Sequence, residues 1–344
     1  MTKLTTVQLN APYLILIGDL TDPTYAKTGF GLVHWRPDLV AGQLRFAGCT
    51  LDLGVPDMSV AEAAKAGIRS LVIGVAPIGG IVPDNWWDSI VEAAQAGLDI
   101  VCGLHFKLAD FPAVAAAAAA SGARLIDVRN PPKKLPVGTG IKRSGKRVLM
   151  VGTDCAIGKK YTALALDKAM REAGMDSTFR ATGQTGIMLA GEGIPIDAVV
   201  ADFISGAAEL ISPANNDGHW DVIEGQGSIF HPGYSGVSLG LLHGSQPDAF
   251  VLCHDAVRTA VSGWEHYPLP SVREAIDMHV LLGRRTNPDI RCAGLSINTS
   301  RLPADKRGAY LAALSAETGL PCVDPIIDGC GAIVENIKQL FPES

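Results

Sequence analysis

Residues 146–174 read KRVLMVGTDCAIGKKYTALALDKAMREAG, and how this stretch folds decides the architecture. Val148 to Val151 is an apolar run of strand length, Gly152 opens a loop, and Gly158-Lys159 closes it. Beyond the loop Ala163, Leu164, Leu166, Ala169, Met170 and Ala173 recur at three- and four-residue spacing until Gly174, which reads as an amphipathic helix with a glycine stop. Strand, glycine loop, lysine and helix in that order make a phosphate cradle, because unpaired backbone N–H groups and the positive end of the helix face one point. Lys159 adds a point charge.

The common phosphate loop places four residues between its first Gly and the Gly-Lys pair, and a Ser or Thr directly after the Lys. Here five intervene, Thr153, Asp154, Cys155, Ala156 and Ile157, and the residues after Lys159 are Lys160 and Tyr161. The five-residue version beginning Gly-Thr-Asp resembles the loop of dethiobiotin synthetase and its relatives. The missing hydroxyl is the one that holds Mg²⁺ between nucleotide phosphates in hydrolases. Thr162 lies two residues too far along to replace it simply, and a second lysine in that place suits a phosphate ligand bound without metal. No metal is therefore expected.

A chain of 344 residues with 47% hydrophobic and 19% charged residues can bury a sizeable core and is expected to divide into two domains. A net charge of −6 argues against nucleic acid or an anionic membrane as the main partner. Cys49, Cys102, Cys155, Cys253, Cys292, Cys322 and Cys330 are scattered without a C-x-x-C pair, which favours reduced core thiols. The first residues carry no basic segment followed by a long apolar run, and no stretch reaches eighteen apolar residues, so a soluble cytoplasmic protein is expected.

Upstream of the loop, Tyr13 to Ile17 reads as a strand running into Gly18-Asp19. Residues 20–39 read as an irregular loop carrying Lys27, His34, Trp35 and Arg36, long enough to be functional or covered by a partner. Helices over 61–66, 84–96 and 113–120 then alternate with strands over 70–75, 99–104 and 124–128, the pattern of a parallel sheet covered on both faces. Residues 1–130 thus form a Rossmann-like domain without a Gly-x-Gly-x-x-Gly sequence, and the proline-rich 131–146 is a linker. Residues 147–344 form a P-loop NTPase-like domain with further strands at 178–181, 198–201, 220–223, 249–253 and 293–297. The fold class is α/β, two doubly wound parallel sheets.

Ligands in such sheets bind beyond the carboxyl ends of the strands. Four loops there carry candidate chemistry: Thr182-Gly-Gln-Thr185-Gly186, Asp202, Glu224-Gly-Gln-Gly-Ser228 followed by His231, Tyr234 and Ser235, and His254-Asp255 with Arg258. Asn298 and Arg301 follow the strand over 293–297 in the same way. Asn298 stands where dethiobiotin synthetase and its kin contact the base of their nucleotide, which the resemblance extends to an adenine contact here. Arg258 or Arg301 could clamp a carboxylate, since a guanidinium fork matches that group.

The series Gly152-Thr-Asp-Cys-Ala-Ile-Gly-Lys159, Thr182-Gly-Gln-Thr-Gly186, Val200-Ala-Asp-Phe203, Glu224-Gly-Gln-Gly-Ser228 with His231-Pro232, and Leu252-Cys-His254 resembles a bacterial and archaeal family that joins a Rossmann-like domain to a phosphate-loop domain. Some of its members are assigned as D-glutamate N-acetyltransferases, so the resemblance implies acetyl-CoA as co-substrate and a small amino acid as acceptor. The cradle from Gly152 to Tyr161 would then grip the coenzyme's phosphates. Acetyl transfer by direct attack needs a base, oxyanion donors and cations for the acceptor's carboxylates. Glu224, Asp202 and His231 are the candidate bases, backbone at 183–186 or 225–228 the candidate oxyanion donors, and Lys27, Arg36, Arg258 or Arg301 the candidate cations. An ATP- and Mg²⁺-dependent ligase or kinase resembling dethiobiotin synthetase is the alternative, and a non-catalytic nucleotide switch a third. A homodimer or higher homo-oligomer is expected on general grounds.

Overall fold

The structure, a computed structural model, describes residues 7, 9–75, 80 and 82–342. The chain runs through β1 (Tyr13–Gly18), α1 (Lys27–Trp35), β2 (Val40–Arg45), α2 (Val60–Lys65), β3 (Ser70–Ile73), α3 (Trp87–Gln95), β4 (Asp99–Cys102), α4 (Pro112–Ser121) and β5 (Leu125–Asp127). It continues with β6 (Lys146–Gly152), α5 (Lys159–Glu172), β7 (Ser177–Arg180), α6 (Gln184–Ala190), α7 (Ile204–Ile211), β8 (Trp220–Ile223), α8 (Ser235–Ser245) and β9 (Ala249–Asp255). Last come β10 (Ala260–Val261), β11 (Trp264–Pro268), α9 (Val272–Gly283), β12 (Arg291–Asn298), α10 (Ala304–Thr318), β13 (Cys322–Val323) and α11 (Gly331–Leu340). These sort into two compact units, one of Thr5–Pro131 with Gly183–Pro195, the other of Pro132–Thr182 with Ile196–Ser344.

In the first unit a five-stranded parallel sheet runs in the order β2-β1-β3-β4-β5. Every residue of β1, β3 and β4 is buried, and this is why those strands read as continuous apolar runs. Helix α2 starts with a capping box in which Ser59 and Glu62 satisfy each other's backbone N–H groups. Residues 20–39, read from sequence as an irregular loop, are instead a 3-10 turn over Pro23–Ala26, helix α1, and a second turn over Pro37–Leu39. Gly29, which looks like a breaker, is a packing residue: a Cβ there would lie 3.1–3.2 Å from Leu53 and Ile15, so its bare Cα lets α1 pack closely on them. The edge strand β2, with three of its six residues buried, has no counterpart in the sequence reading.

Helix α6 completes this unit although its residues come from the second half of the chain. The sequence reading makes Thr182–Gly186 a flexible ligand loop, but Gln184, Thr185 and Gly186 are the first turn of a buried helix that packs on α1. Thr185 Oγ1 shares a buried hydrogen bond with Thr28 Oγ1 at 3.0 Å. A Cβ on Gly103 would meet Gln184 Oε1 at 1.9 Å, so the helix sits hard against the residue that follows β4.

The second unit holds a six-stranded parallel sheet in the order β13-β12-β9-β6-β8-β7, with β10 and β11 as a small antiparallel hairpin. The strand at 198–201 expected from sequence is absent; that stretch is two 3-10 turns, Ile196–Ala198 and Ala201–Phe203. The Val199 and Phe203 N–H groups bond back to Ile196 and Val200, and Val200 is exposed, so these apolar residues line no sheet. Strand β6 lies between β9 and β8, paired Gly152 to Cys253 and Leu149 to Ile223. Asn298 pairs with Asp255, and Arg180 with Ile223. That register brings the loop after Gly152, Thr182, Glu224, His254 and Asn298 out along one carboxyl edge.

Candidate active site

The loop leaving β6 turns sharply. Ala156 and Gly158 have φ of +52° and +111°, and the alanine holds the left-handed region without glycine's freedom. The Thr153 N–H bonds to the Cys253 carbonyl, and the Cys155 N–H to Asp154 Oδ1 at 2.6 Å. The N–H groups of Ala156, Ile157 and Gly158 have no acceptor among the described residues. They directly precede the fourteen-residue helix α5, the backbone setting of an anion nest.

Asp154 is fully buried and organises the loop from inside. Its Oδ2 accepts from Arg258 Nη1 at 2.8 Å and from the Ser262 N–H at 2.9 Å, while the same Nη1 donates to the Cys155 carbonyl at 2.7 Å. Arg258, expected to hold a substrate carboxylate, thus has its guanidinium committed to the loop. Lys159 is buried too, and its Nζ donates to the Asp154 carbonyl at 2.7 Å. Burial pulls its pKa down, against the opposing influence of Cys155, Cys253 and Asp154. Lys160 is half-buried with its ammonium over the Tyr161 ring, and Thr153 Oγ1 pairs with His254 Nδ1 at 2.9 Å. The Thr162 hydroxyl donates back to the Gly158 carbonyl at 3.1 Å and lies 2.7 Å from Ser296 Oγ, so it is engaged at the base of the loop.

Glu224 follows β8 and is 3% exposed. Its Oε2 accepts from the Thr182 N–H at 3.0 Å and its carbonyl from Thr182 Oγ1 at 2.8 Å. Gly225 allows the close approach: a Cβ there would stand 1.7 Å from the Met150 carbonyl oxygen and 3.0 Å from Lys159 Cδ. Ser228 Oγ donates to the Gly152 carbonyl at 2.8 Å and ties this segment to the end of β6.

His231 is 2% exposed, stacked on Tyr234 at 4.4 Å and met edge-on by Trp264 at 4.7 Å. Its Nδ1 accepts the Gly233 N–H at 3.0 Å, so the neutral ring carries its proton on Nε2. Burial lowers its pKa, opposed by Asp154 and assisted by Lys159, which keeps the ring neutral near pH 7. His231 is therefore placed to donate at Nε2 rather than to act as the base expected from sequence. One ligand atom each of Asp154, Cys155 and His231 lie within 4.8 Å of one another. A cation there would sit beside Arg258 and Lys159, with both Asp154 oxygens already accepting, so the group suits an anion better than a metal.

The remaining expected residues scatter. Ser235 is the first residue of α8, and Tyr234 is half exposed over His231. Asp202 is exposed on a 3-10 turn, not at a strand end. Asn298 donates weakly to Asp255 Oδ2 at 3.5 Å, and Arg301 donates to the same oxygen at 2.8 Å. In the first unit Lys27 opens α1, and Arg36 is bonded through Nε and Nη2 to Asp38. Sequence reasoning passed over Ser262 and Trp264 of the hairpin, whose two-residue strand β10 is too short for any periodicity.

Residues 136–334 match the family described as domain of unknown function DUF1611, P-loop domain, and residues 44–131 match its N-terminal Rossmann-like domain. The chain belongs to the DUF1611 family. A DUF1611 family protein from Anabaena variabilis, known by crystal structure, is 36% identical and superposes with a TM-score of 0.88 over 96% of this chain and 100% of that one. Two curated relatives are each named D-glutamate N-acetyltransferase. One, from Tritonibacter scottomollicae, is 47% identical over 332 residues; the other, from a Pseudoalteromonas species, is 46% identical over 331. Each alignment covers 96% of this chain and 100% of the relative.

Proposed function

We propose that this DUF1611 protein transfers an acetyl group from acetyl-CoA to the amino group of D-glutamate. The near-half identity to two D-glutamate N-acetyltransferases over their whole length supports the reaction. The observation that carries the site is the nest of unpaired N–H groups at Ala156, Ile157 and Gly158, where negative charge that acetyl-CoA brings or develops would settle. Glu224 is the group we assign to take a proton from the substrate ammonium, because it is a buried carboxylate directly before Gly225, which packs against Lys159, whereas Asp154 is taken up by Arg258. His231 stays neutral and donates. Lys160, at the second position of α5, is assigned to an acceptor carboxylate, with Tyr234 and Ser235 bordering the acceptor and Asn298 against the coenzyme's base. Two features weigh against an ATP- and Mg²⁺-dependent ligase: Lys160 stands where the metal-holding hydroxyl belongs, and Thr162 is turned toward Ser296.

Mixing the protein with acetyl-CoA and a panel of D- and L-amino acids, and following free thiol, tests the reading. Thiol release with D-glutamate well above L-glutamate is expected. Mg²⁺-dependent ATP binding with no thiol release from any acceptor would overturn it.

A further inference from the structure

Which end of acetyl-CoA meets the nest follows from what lines it. Lys159, the cation a phosphate needs, is turned back onto the Asp154 carbonyl. A thioester is neutral until attacked, so charge would appear only in the transition state. The residue that directly precedes the nest is a cysteine whose sulfur lies within 4.8 Å of ligand atoms of Asp154 and His231. Cys155 is half-buried and held on both sides, its N–H by Asp154 and its carbonyl by Arg258, directly before the left-handed Ala156. Cys155 stands near the head of α5, close enough to act electrostatically on Lys159. A second observation comes from the facing element. The side chain of His231 is almost wholly buried, one ring nitrogen within 4.8 Å of the Cys155 sulfur, and its Nε2 has no hydrogen-bond partner among the described residues.

We propose that Cys155 is an acyl-carrying nucleophile, so that acetyl passes from the coenzyme to the enzyme before it reaches the amino acid. This rests on the acetyl-CoA reading above. In the first step the Cys155 sulfur bonds to the acetyl carbonyl carbon, the carbon–sulfur bond to the coenzyme breaks, and the thiol proton ends on the departing coenzyme sulfur. In the second, the neutral amine, its ammonium proton already given up through Glu224, attacks the same carbon. The bond to Cys155 breaks, and the cysteine sulfur regains the proton lost by the amine as the amide forms. The N–H groups of Ala156 and Ile157 and the His231 Nε2–H hold the oxyanion in both steps, the arrangement in which the residue after a nucleophile supplies an oxyanion donor.

The test uses the full chain with acetyl-CoA and isotopically labelled free coenzyme A, without amino acid. Label is expected to exchange into acetyl-CoA, and acid-quenched peptide mapping to find acetyl on Cys155. Cys155→Ala should lose exchange and turnover by on the order of 10³-fold or more, while Cys322→Ser keeps both. Where Cys155→Ala fails to fold, exchange and mapping on the unaltered protein decide. Turnover of D-glutamate with intersecting double-reciprocal plots and no exchange would overturn the nucleophile while leaving the overall reaction standing. Exchange without D-glutamate turnover would uphold the nucleophile and overturn the acceptor. Neither exchange nor turnover would overturn both.

Discussion

Glu224 is the residue on which the acid–base assignment turns, and its surroundings make it separable from stability. The carboxylate already accepts the Thr182 N–H, so an amide oxygen can take that bond over. Glu224→Gln should therefore keep its thermal midpoint while kcat falls by roughly 10²- to 10⁴-fold, the usual share of a general base. Unchanged kcat would move the base elsewhere. The position of Glu224 at the strand end was legible from sequence, because Glu-Gly-x-Gly after an apolar run places an acid beside close-packed backbone. The tautomer of His231 was not legible: it is set by the Gly233 N–H two residues on, a bond that no residue pattern announces. Gly225 carries a prediction of its own. Gly225→Ala drives a Cβ to 1.7 Å from the Met150 carbonyl, so the variant should lose about 1–3 kcal/mol or more in urea unfolding together with its turnover.

Among elements, the phosphate-type loop and the segment around β10 and β11 act together. Arg258 and the Ser262 N–H reach into the loop and neutralise Asp154, a carboxylate with no exposure at all. Arg258→Met removes one partner of a buried pair, and the cost expected is about 3–5 kcal/mol in denaturant unfolding. A loss below about 1 kcal/mol would refute this pairing as a source of stability. The strand–loop–helix unit around Gly152 was readable because its apolar run, glycines and helical spacing agree. Residues 20–39 misled because Gly29 and Gly31 look like breakers, whereas Gly29 lets α1 approach Ile15 and Leu53. The stretch 198–201 misled in the other direction, as four apolar residues suffice for a strand on paper but an exposed Val200 finds no neighbour.

For the molecule as a whole, acid sensitivity should trace in part to His279. Buried in α9 against Phe230 and Phe250, with Nδ1 on the Ala275 carbonyl, it is held down to about 4 from an ordinary 6.5. Its folded pKa lies below its unfolded one, so the unfolded chain takes up a proton first as pH falls. Stability is thus complete above about pH 6.5 and is lost toward pH 4, by on the order of 3 kcal/mol. Urea midpoints measured across that window should fall less steeply for His279→Gln; equal slopes would refute the attribution. The parallel sheets were legible in the alternation of strands and helices, but the membership of α6 was not, because nothing local marks a helix that packs with residues far upstream. Its amides should exchange with solvent in step with those of α1 and β1 rather than with α5, which native-state hydrogen exchange reads directly.

That displaced helix also sets a timetable. A ribosome releases polypeptide from the amino end, and domains generally fold as they emerge. The first sheet is fully synthesised by Pro131, yet the helix that covers α1 is made only when Gly183–Pro195 leaves the exit tunnel, after β6, α5 and β7. Until then the nascent chain carries an unfinished surface around Thr28 and Gly103, and a product whose translation stops at the linker would keep it.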